Sequence, residues 1–514
     1  MNLKKPRNQY HPDVIRILAA LSLVLAACSP LSGAVEEGTL ASTTTTTVPQ
    51  TTTTIAVVER PATTTTLPAE PLTRFVDART VLEPRDGPVQ GLLQFRGNPS
   101  RTWYGAGPVP ENPEIAWTFE VGCGPSSVGG EVTQWCGSGW TGQPVVWERE
   151  DGVTELIFGA YDHAVHFLDA ATGETIRPEF PTLDINKGSV TLDPDGFPLI
   201  YFGSRDDRIR IVALDRSSPS ELWSFFTPPG SIWNNDWDGN PTIIDDLLFE
   251  GGENGIFYVW KLNRSLDEEG LVQVDPELIF STPSYDDELI SKVGRNVSIE
   301  GSVAIFEDVV YLANSGGRVL GLDLTNIDQG EAPIVFDYWV GEDVDATIVI
   351  DPRGMLYVSA ELEEFRPRAL ELGQLIKLDP GREDPYVWGI PVPPLFPGDD
   401  GGLWATPALG DGVLYTTTHP GELLAVDTET GEVLWRREVG HHAWSSPVLV
   451  DGTLVVSINC EEGGGLRAYD VAEPANPRAL WQLDLETGCI ESTPAVWKGA
   501  IYVASRDGNF YAFK

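Results

Sequence analysis

Three carboxylates occupy the same position in three successive copies of a short repeated phrase. Asp238, Glu300 and Asp345 begin the copies DGNPTII, EGSVAI and DATIVI, and the polar run at 234–236 precedes the first of them. Neighbouring carboxylates repel one another unless a cation or water screens them. Calcium takes about six to eight oxygen ligands at flexible spacing. We therefore predict a metal or cation site, with calcium as the ion, at these three acids. The alternative is a group of hydrated acids that only reflects the acidic composition.

Other side chains begin the remaining copies of the phrase. These residues are Trp140, Lys187, Trp404, Trp444 and Glu491, in WTGQPVV, KGSVTL, WATPAL, WSSPVL and ESTPAV. Indole rings can hold a cationic or flat ligand by stacking. We therefore predict that these five residues line a solvent-filled funnel that binds a ligand. Lys187 could instead neutralise part of the acidic group without a metal.

The elements that position these residues are short strands separated by turn signals. The phrase recurs about every 50 residues, and GVLYTTTHPGELLAVDTETGEVLWRREV shows the three strands that follow it. Four antiparallel strands per repeat are typical of a propeller blade. The last repeat ends one strand short, and EIAWTFEVG, which contains Trp117, can supply that strand. The prediction is an all-β, eight-bladed propeller of four-stranded antiparallel blades, closed by an N-terminal strand near Trp117, with the first residue of each phrase at one mouth of the axis.

Several phrases resemble the repeats of one known family. W-S-S-P-V, D-G-x-L-Y, D-x-x-T-G-E-x-L-W and SRDGNFYAF, with FRGNPSRTWYGAGP ahead of them, are similar to the repeats of PQQ-like (quinoprotein alcohol dehydrogenase-like) β-propellers. The resemblance covers about residues 90–514 and is strongest in the last three blades. The family includes PQQ dehydrogenases and a non-catalytic lipoprotein of the outer-membrane β-barrel assembly machinery. It implies a fold far more specifically than a function.

The resemblance implies two functions of different kinds. In the dehydrogenases of this family the quinone lies on the axis, stacked on a tryptophan, beside calcium and beneath a disulfide between adjacent cysteines. Trp404 or Trp444 would be the platform here, and Asp345 the base. The chain has no adjacent cysteine pair, so we favour a non-catalytic binding or assembly scaffold over a PQQ- and calcium-dependent dehydrogenase of alcohols or sugars. A funnel that binds a small ligand without chemistry is a third interpretation.

The N-terminus predicts export and a lipid anchor. Four basic residues precede the apolar run ILAALSLVLAA, which is too short for a comfortable membrane span and ends in LAAC. That ending resembles the bacterial lipobox, whose cysteine, here Cys28, carries the lipid. We predict a signal peptide at 1–28, a disordered Thr/Pro-rich tether at 29–85 and the propeller at 86–514. The expected location is the extracytoplasmic face of the cell membrane.

The charge and the long loops indicate what kind of partner the chain can bind. The net charge is −42, which repels phosphate backbones and argues against nucleic acid. A protein or a small ligand at the funnel or the loops is expected instead. PSYDDELISKVGRN and ELEEFRPRALEL exceed what a blade requires and are candidates for a partner surface. The motifs H-E-x-x-H and G-x-S-x-G and a P-loop are missing from the sequence.

Four cysteines besides Cys28 are expected to form disulfides in an exported protein. They are Cys123, Cys136, Cys460 and Cys489. Proximity favours Cys123–Cys136 and Cys460–Cys489 among the three possible pairings, and a structural zinc site is the alternative. His441 and His442, just ahead of Trp444, are interpreted as a solvated pair, with a ligand role as the alternative.

Overall fold

The computed structural model describes residues 73–514 apart from 129–130, 141, 229, 459–463 and 486–488. The predicted signal peptide, Cys28 and Cys460 therefore lie outside the described residues, as does most of the predicted tether. Leu72–Lys514 cluster as one unit by their internal contacts. Among the residues described, no helix has the length and apolar character needed to cross a membrane.

Eight sheets follow one another around the ring and are antiparallel except for one short parallel pair, Gly105–Ala106 with Val496–Trp497, which confirms the predicted eight-bladed propeller. In each blade strands A to D run in order from the axis to the rim, and in blades one and eight a further short strand, Gln90–Leu92 or Gly105–Ala106, pairs with the inner edge of strand A. Apolar side chains of neighbouring blades pack face to face. Val145, Ile157 and Val165 of blade one, for example, share a buried cluster with Ile200 and Phe202 of blade two. The core is thus a ring of layers between blades, because each sheet buries both of its faces.

Five strands precede the first complete blade. They are β1 Gln90–Leu92, β2 Gly105–Ala106, β3 Ile115–Glu120, β4 Cys123–Val128 and β5 Glu131–Cys136. Blade one contains β6 Val145–Glu148, β7 Thr154–Gly159, β8 Ala164–Asp169 and β9 Phe180–Pro181, and blade two contains β10 Thr191–Leu192, β11 Leu199–Ser204, β12 Arg208–Ala213 and β13 Ser220–Phe226. Blade three contains β14 Thr242–Ile244, β15 Leu247–Gly251, β16 Ile256–Lys261 and β19 Glu277–Pro283, and blade four contains β20 Ala304–Phe306, β21 Val309–Ala313, β22 Arg318–Asp323 and β23 Ile334–Trp339. A small hairpin between strands C and D of blade three contains β17 Ser265–Leu266 and β18 Val272–Gln273.

Blades five to eight complete the ring. Blade five contains β24 Val349–Ile350, β25 Leu356–Ser359, β27 Leu375–Leu378 and β28 Tyr386–Ile390, and blade six contains β30 Ala408–Gly410, β31 Val413–Thr417, β32 Glu422–Asp427 and β33 Val433–Glu438. Blade seven contains β34 Val448–Val450, β35 Thr453–Ile458, β36 Gly465–Asp470 and β37 Arg478–Asp484, and blade eight contains β38 Ala495–Trp497, β39 Ala500–Ala504 and β40 Asn509–Phe513. Two connecting strands, β26 Glu361–Leu362 and β29 Gly401–Gly402, pair with each other. The helices are α1 Asp287–Val293 and α2 Pro367–Leu372, with 3-10 turns at Ala78–Thr80 and Ile327–Gln329.

The ring closes as the sequence predicts. Strand β3 pairs antiparallel with β40 and becomes the outermost strand of blade eight, with Trp117 opposite Ala512. Trp117 stacks on Phe510 with ring centroids 6.0 Å apart. Joining the first and last parts of the chain in one sheet leaves no unpaired edge at the end of the ring.

A belt of hydrogen bonds around the axis links every blade to the next. Most of its members are small polar residues two positions after the first residue of each repeated phrase. The bonds run from Gln143 N–H to Ser189 Oγ (2.8 Å), Asn240 Nδ2–H to Ser189 O (3.0 Å), Asn240 N–H to Ser302 Oγ (3.0 Å), Ser302 N–H to Thr347 Oγ1 (2.9 Å), Thr347 N–H to Thr406 Oγ1 (3.1 Å), Thr406 N–H to Ser446 Oγ (3.0 Å), Ser445 Oγ–H to Ser492 O (2.7 Å) and Thr493 N–H to Gly142 O (3.0 Å). This belt fixes the height of each phrase on the axis.

The stretch FRGNPSRTWYGAGP, residues 95–108, fills the axis beneath the belt. Arg96 and Arg101 are fully buried there and both have positive φ. Arg96 donates to the carbonyls of Pro407 (2.5 Å) and Pro447 (3.2 Å), in blades six and seven. Arg101 donates to the carbonyl of Val303 (2.9 Å), in blade four. Residues 95–108 therefore close the axial channel at this end, and the two guanidinium groups donate hydrogen bonds to carbonyls that face the axis from several blades.

The structure moves the predicted boundary between tether and propeller. Residues 74–85 were expected in the tether, yet the Val76 N–H bonds to the Glu307 carbonyl at 3.1 Å. Phe75 packs edge-on against Phe249 with ring centroids 5.9 Å apart. Phe75 can bury apolar surface against blades three and four, whereas the preceding Thr-rich sequence has no comparable side chain to bury.

Candidate functional site

Two connections of every blade lie on the same face of the propeller. In an antiparallel blade the D–A and B–C connections share one face, and the A–B and C–D connections share the other. We call the first the mouth face. The residues that begin the repeated phrases, here named the leader ring, end the D–A connections and therefore lie at this face. They are Trp140, Lys187, Asp238, Glu300, Asp345, Trp404, Trp444 and Glu491.

A second set of side chains, which sequence reasoning missed, meets the leader ring from the B–C turns. This turn ring consists of Tyr161, Arg205, Glu253, Ser315, Glu361, His419 and Arg506. The signal was available in the recurring turns AYDH, SRDD, GENG, NSGG, THPG and SRDG. It is weak because no one residue type occupies the turn position in most blades, and because blade five inserts helix α2 between its B and C strands.

Contacts between the two rings account for the type of the leader residue in two of the blades. Glu491 accepts a hydrogen bond from Arg506 of its own blade at 2.8 Å. Arg506 in turn lies over Tyr161, 5.1 Å from the ring centroid. Trp404 instead packs against His419 of its own blade, with centroids 4.3 Å apart. In blades eight and six the leader residue thus matches its turn residue, because an acid faces an arginine in one and an indole faces an imidazole in the other, whereas in blades three and five an acid faces an acid.

Blades two to four form an acidic sector with internal cations. Lys187 pairs with Asp238, and its Nζ lies 3.9 Å from Glu300. Arg205 bonds to Asp236 at 2.8 Å. Lys187 also lies 5.2 Å from the ring centroid of Trp140. The lysine therefore occupies the place where the sequence predicted a metal between Asp238 and Glu300.

The third predicted metal ligand belongs to a different group. Ligand oxygens of Asp345, Asp343 and Glu361 lie within 4.8 Å of one another, and Asp238, Glu253 and Glu300 form a separate group of the same span. Asp343 Oδ1 and Glu361 Oε1 are buried without a hydrogen-bond partner. Since no described lysine or arginine is ion-paired with Asp343, Asp345 or Glu361, a hard cation such as calcium fits this group. The expected set of Asp238, Glu300 and Asp345 is corrected accordingly.

The residues of the acidic sector are buried and do not line a hydrated funnel. Asp238 is only 2% exposed and Lys187 8% exposed, which corrects the expectation of solvent-filled surroundings. Burial, then Asp345, raises the pKa of Glu300 to about 8. Burial likewise raises the pKa of Asp236 to about 7, although Arg205 opposes it. The side chains of the turn ring bury these acids, because they cover the side of the leader ring that the sequence analysis expected to face solvent.

The pKa of Lys187 moves in the opposite sense. Burial alone would lower it, but Asp238 and then Glu300 raise it above the ordinary value. Burial also raises the pKa of Glu253 and of Glu361 well above the usual range. Burial and mutual repulsion thus favour the protonated form of these carboxyl groups, because several neighbouring carboxylates cannot all ionise in one dry space.

Blades six and seven form an aromatic and imidazole sector. Trp404 and Trp444 lie 5.9 Å apart, and the Trp444 indole donates to His419 Nδ1 at 2.8 Å. Burial, then His442 and His441, lowers the pKa of His419 to about 2. The His441 side chain is only 12% exposed and bonds to Asp399, so the interpretation as a solvated pair is corrected. These residues share a wall that excludes much of the solvent.

The mouth does not fit a stacked quinone. Trp404 is covered by His419, and Trp444 stacks on the same imidazole at 5.9 Å with planes 24° apart. Trp140 has the Lys187 ammonium over its ring. Each of the three indoles thus already contacts a polar side chain where a flat cofactor would lie. Asp345 lies beside two other buried acids rather than beneath one of these indoles.

One of the predicted disulfides is confirmed. Cys123 and Cys136 are bonded and join the hairpin of β4 and β5, which precedes blade one on the mouth face. Cys489 is also disulfide-bonded. Its predicted partner, Cys460, lies outside the described residues, so that pairing stays a prediction.

The fold and the axial site define an eight-bladed propeller with a polar mouth and a plugged base. The family model described as "Outer membrane protein assembly factor BamB" matches residues 373–514, which run from the third strand of blade five to the end. This match to the last part of the chain supports the resemblance to PQQ-like β-propellers that the repeats predict. No curated protein matches the sequence significantly.

Several solved structures are similar to this propeller. The quinohemoprotein alcohol dehydrogenase of Comamonas testosteroni aligns with a TM-score of 0.54 and 14% identity, over 82% of this chain and 80% of that chain. The computationally designed Ika8 protein aligns at 0.48 and 11%, over 73% and 96%. BamB from Moraxella catarrhalis aligns at 0.39 and 12%, over 83% and 99%. At these identities the likeness concerns the fold alone.

Proposed function

We propose that this protein is a non-catalytic, extracytoplasmic binding scaffold that docks a protein partner on its mouth face. The observation that carries the proposal is the distribution of exposed apolar side chains. Of the sixteen exposed large apolar side chains in the described residues, two stand on C–D connections, Ile176 and Leu266, and seven stand on D–A and B–C connections: Val132, Leu183, Trp233, Phe365, Leu370, Leu395 and Phe396. Exposed apolar groups gathered on one face are typical of protein interaction sites.

The partner's chemistry follows from what surrounds these side chains. Trp233 is 53% exposed and Phe396 52% exposed, and both stand beside the mouth. The whole chain carries a net charge of −42. A partner surface with apolar residues and a surplus of lysine or arginine would be complementary in both respects. The match to the BamB family model supports a role in assembly of the same general kind.

The test is site-specific photo-crosslinking in cells that produce the full chain. A photoreactive residue replaces Trp233 or Phe396 on the mouth face. Leu266 is the matched control, because it is 59% exposed but lies on the C–D hairpin of blade three, on the opposite face. We expect one discrete crosslinked protein from positions 233 and 396 and none from 266. Equal labelling from both faces, or no crosslink at either mouth position, would overturn the proposal.

A lipid on Cys28 would hold the propeller at the membrane in this proposal. The support is the sequence LAAC after an apolar run, followed by a Thr-rich stretch long enough to act as a tether. Metabolic labelling with an alkyne fatty acid should mark the wild-type chain and leave Cys28→Ser unlabelled. The labelled chain should sediment with membranes. A Cys28→Ser variant that is labelled and sediments like the wild type would contradict the anchor.

A further inference from the structure

Three histidines and an aspartate meet beside the mouth in blades six and seven. Asp399 precedes strand A of blade six, His419 lies in the B–C turn of that blade, and His441 and His442 precede strand A of blade seven. One ligand atom from each lies within 4.8 Å of the others. Half of the six histidines of the chain are therefore in this one cluster. Asp399, His419 and the adjacent pair His441 and His442 come from three separate parts of the sequence, so it is the propeller that brings them together.

One pair in the cluster has the spacing of two ligands of one ion. His441 Nε2 lies 2.8 Å from Asp399 Oδ2, and the two side chains are 12% and 11% exposed. Bonds from zinc to nitrogen or oxygen are about 2.0–2.2 Å, so adjacent ligand atoms around such an ion are about 3 Å apart. A hydrogen bond holds this pair at that spacing in the absence of an ion.

His419 has a different role in the cluster. The Trp444 indole donates to its Nδ1 at 2.8 Å, so the neutral ring carries its proton on Nε2. That Nε2 is buried and has no hydrogen-bond partner. It points toward Asp399, with 3.9 Å between Nε2 and Oδ1, and the whole residue is only 3% exposed. Buried donors in proteins are almost always satisfied, so this one implies an acceptor in the cluster.

We infer that Asp399, His441 and His442 bind a divalent transition metal with an exchangeable position, and that His419 donates from Nε2 to the water or anion bound there. Imidazole and carboxylate ligands suit zinc, cobalt, iron and nickel. Three protein ligands leave a position for a further ligand. Trp404 on His419 and Phe396 near His441, with centroids 4.3 and 5.7 Å apart respectively, form apolar walls around that position. The inference does not depend on the proposed scaffold function.

The first experiment measures zinc and cobalt binding by the full chain, purified without a histidine tag and stripped of metal. We expect one ion per chain and a cobalt absorption spectrum typical of nitrogen ligands. Asp399→Asn, His441→Gln and His442→Gln should each weaken binding at least tenfold. His166→Gln is the matched control, because His166 belongs to a second group, with Asp162 and Glu179, of the same span. Thermal melting checks that each variant is folded.

Two results would overturn the site. One is the failure of the wild-type chain to bind either ion, which needs no variant to interpret. The other is binding that survives His441→Gln but is lost in His166→Gln. For the role of His419, we expect His419→Phe to keep the metal but to bind azide about tenfold more weakly when loaded with cobalt. Loss of the metal itself in His419→Phe would overturn the donor role.

Discussion

At the scale of single residues, the buried acids of the acidic sector make the free energy of unfolding depend on pH. Glu300 has an ordinary pKa of 4.5, and burial, then Asp345, raises it to about 8 in the folded chain. The folded state therefore binds more protons than the unfolded state between these values. Its free energy of unfolding must fall as the pH rises through that window, and the contribution is complete below it.

The prediction for Glu300→Gln is a flatter pH profile. Melting temperature in the wild type should decline between about pH 4.5 and 8, and the variant should lose part of that decline, because a neutral amide has no proton to release. Glu277→Gln, an exposed acid on the rim strand of blade three, is the control and should leave the profile unchanged. A Glu300→Gln profile that parallels the wild type would contradict the assignment.

Calcium should stabilise the protein through Asp343, Asp345 and Glu361. A site filled at about one hundred times its dissociation constant adds about 2.7 kcal/mol to the free energy of unfolding. Asp345→Asn should abolish this gain in a calcium titration followed by thermal melting. Asp238→Asn is the comparison variant, because Asp238 pairs with Lys187 and should leave the gain in place. A gain that Asp238→Asn removes and Asp345→Asn keeps would restore the site predicted from sequence.

At the scale of elements, the axial belt sets where each blade begins. Thr406 is fully buried, and its hydroxyl accepts from the Thr347 N–H at 3.1 Å. Thr406→Val keeps the shape but leaves that N–H without a partner, which costs about 1–3 kcal/mol. Denaturant unfolding should show this loss. Thr118→Val, on the exposed face of strand β3, should change stability by less than about 0.5 kcal/mol. Equal effects from both variants would contradict a structural role for the belt.

The same scale shows what the sequence could and could not predict. The strands and the closure by Trp117 followed from a repeated phrase, because that phrase marks strand A in every blade. The burial of Asp238 did not follow, because it depends on turn residues such as Glu253 that share no common type. The axial role of Arg96 and Arg101 was also hidden, since arginines are rarely buried and nothing local marks these two as exceptions.

At the scale of the whole molecule, the two faces differ in character. The mouth face carries both polar rings, the Cys123–Cys136 hairpin and helices α1 and α2, which lie in the two loops that the sequence identified as too long for a blade. The other end of the axis is plugged by residues 95–108. The sequence could not predict this asymmetry, because it arises from which connections share a face rather than from any single motif.

The measurement that tests the account most directly is hydrogen–deuterium exchange of the full chain, free and bound to the partner recovered by crosslinking at Trp233. Backbone amides in the mouth-face connections at 230–241, 360–374 and 391–407 should become protected when the partner binds, because it covers the exposed apolar side chains there. The C–D hairpin at 262–276 should exchange as in the free protein. Protection of that hairpin, with unchanged exchange in the mouth-face connections, would contradict the assignment of the binding face.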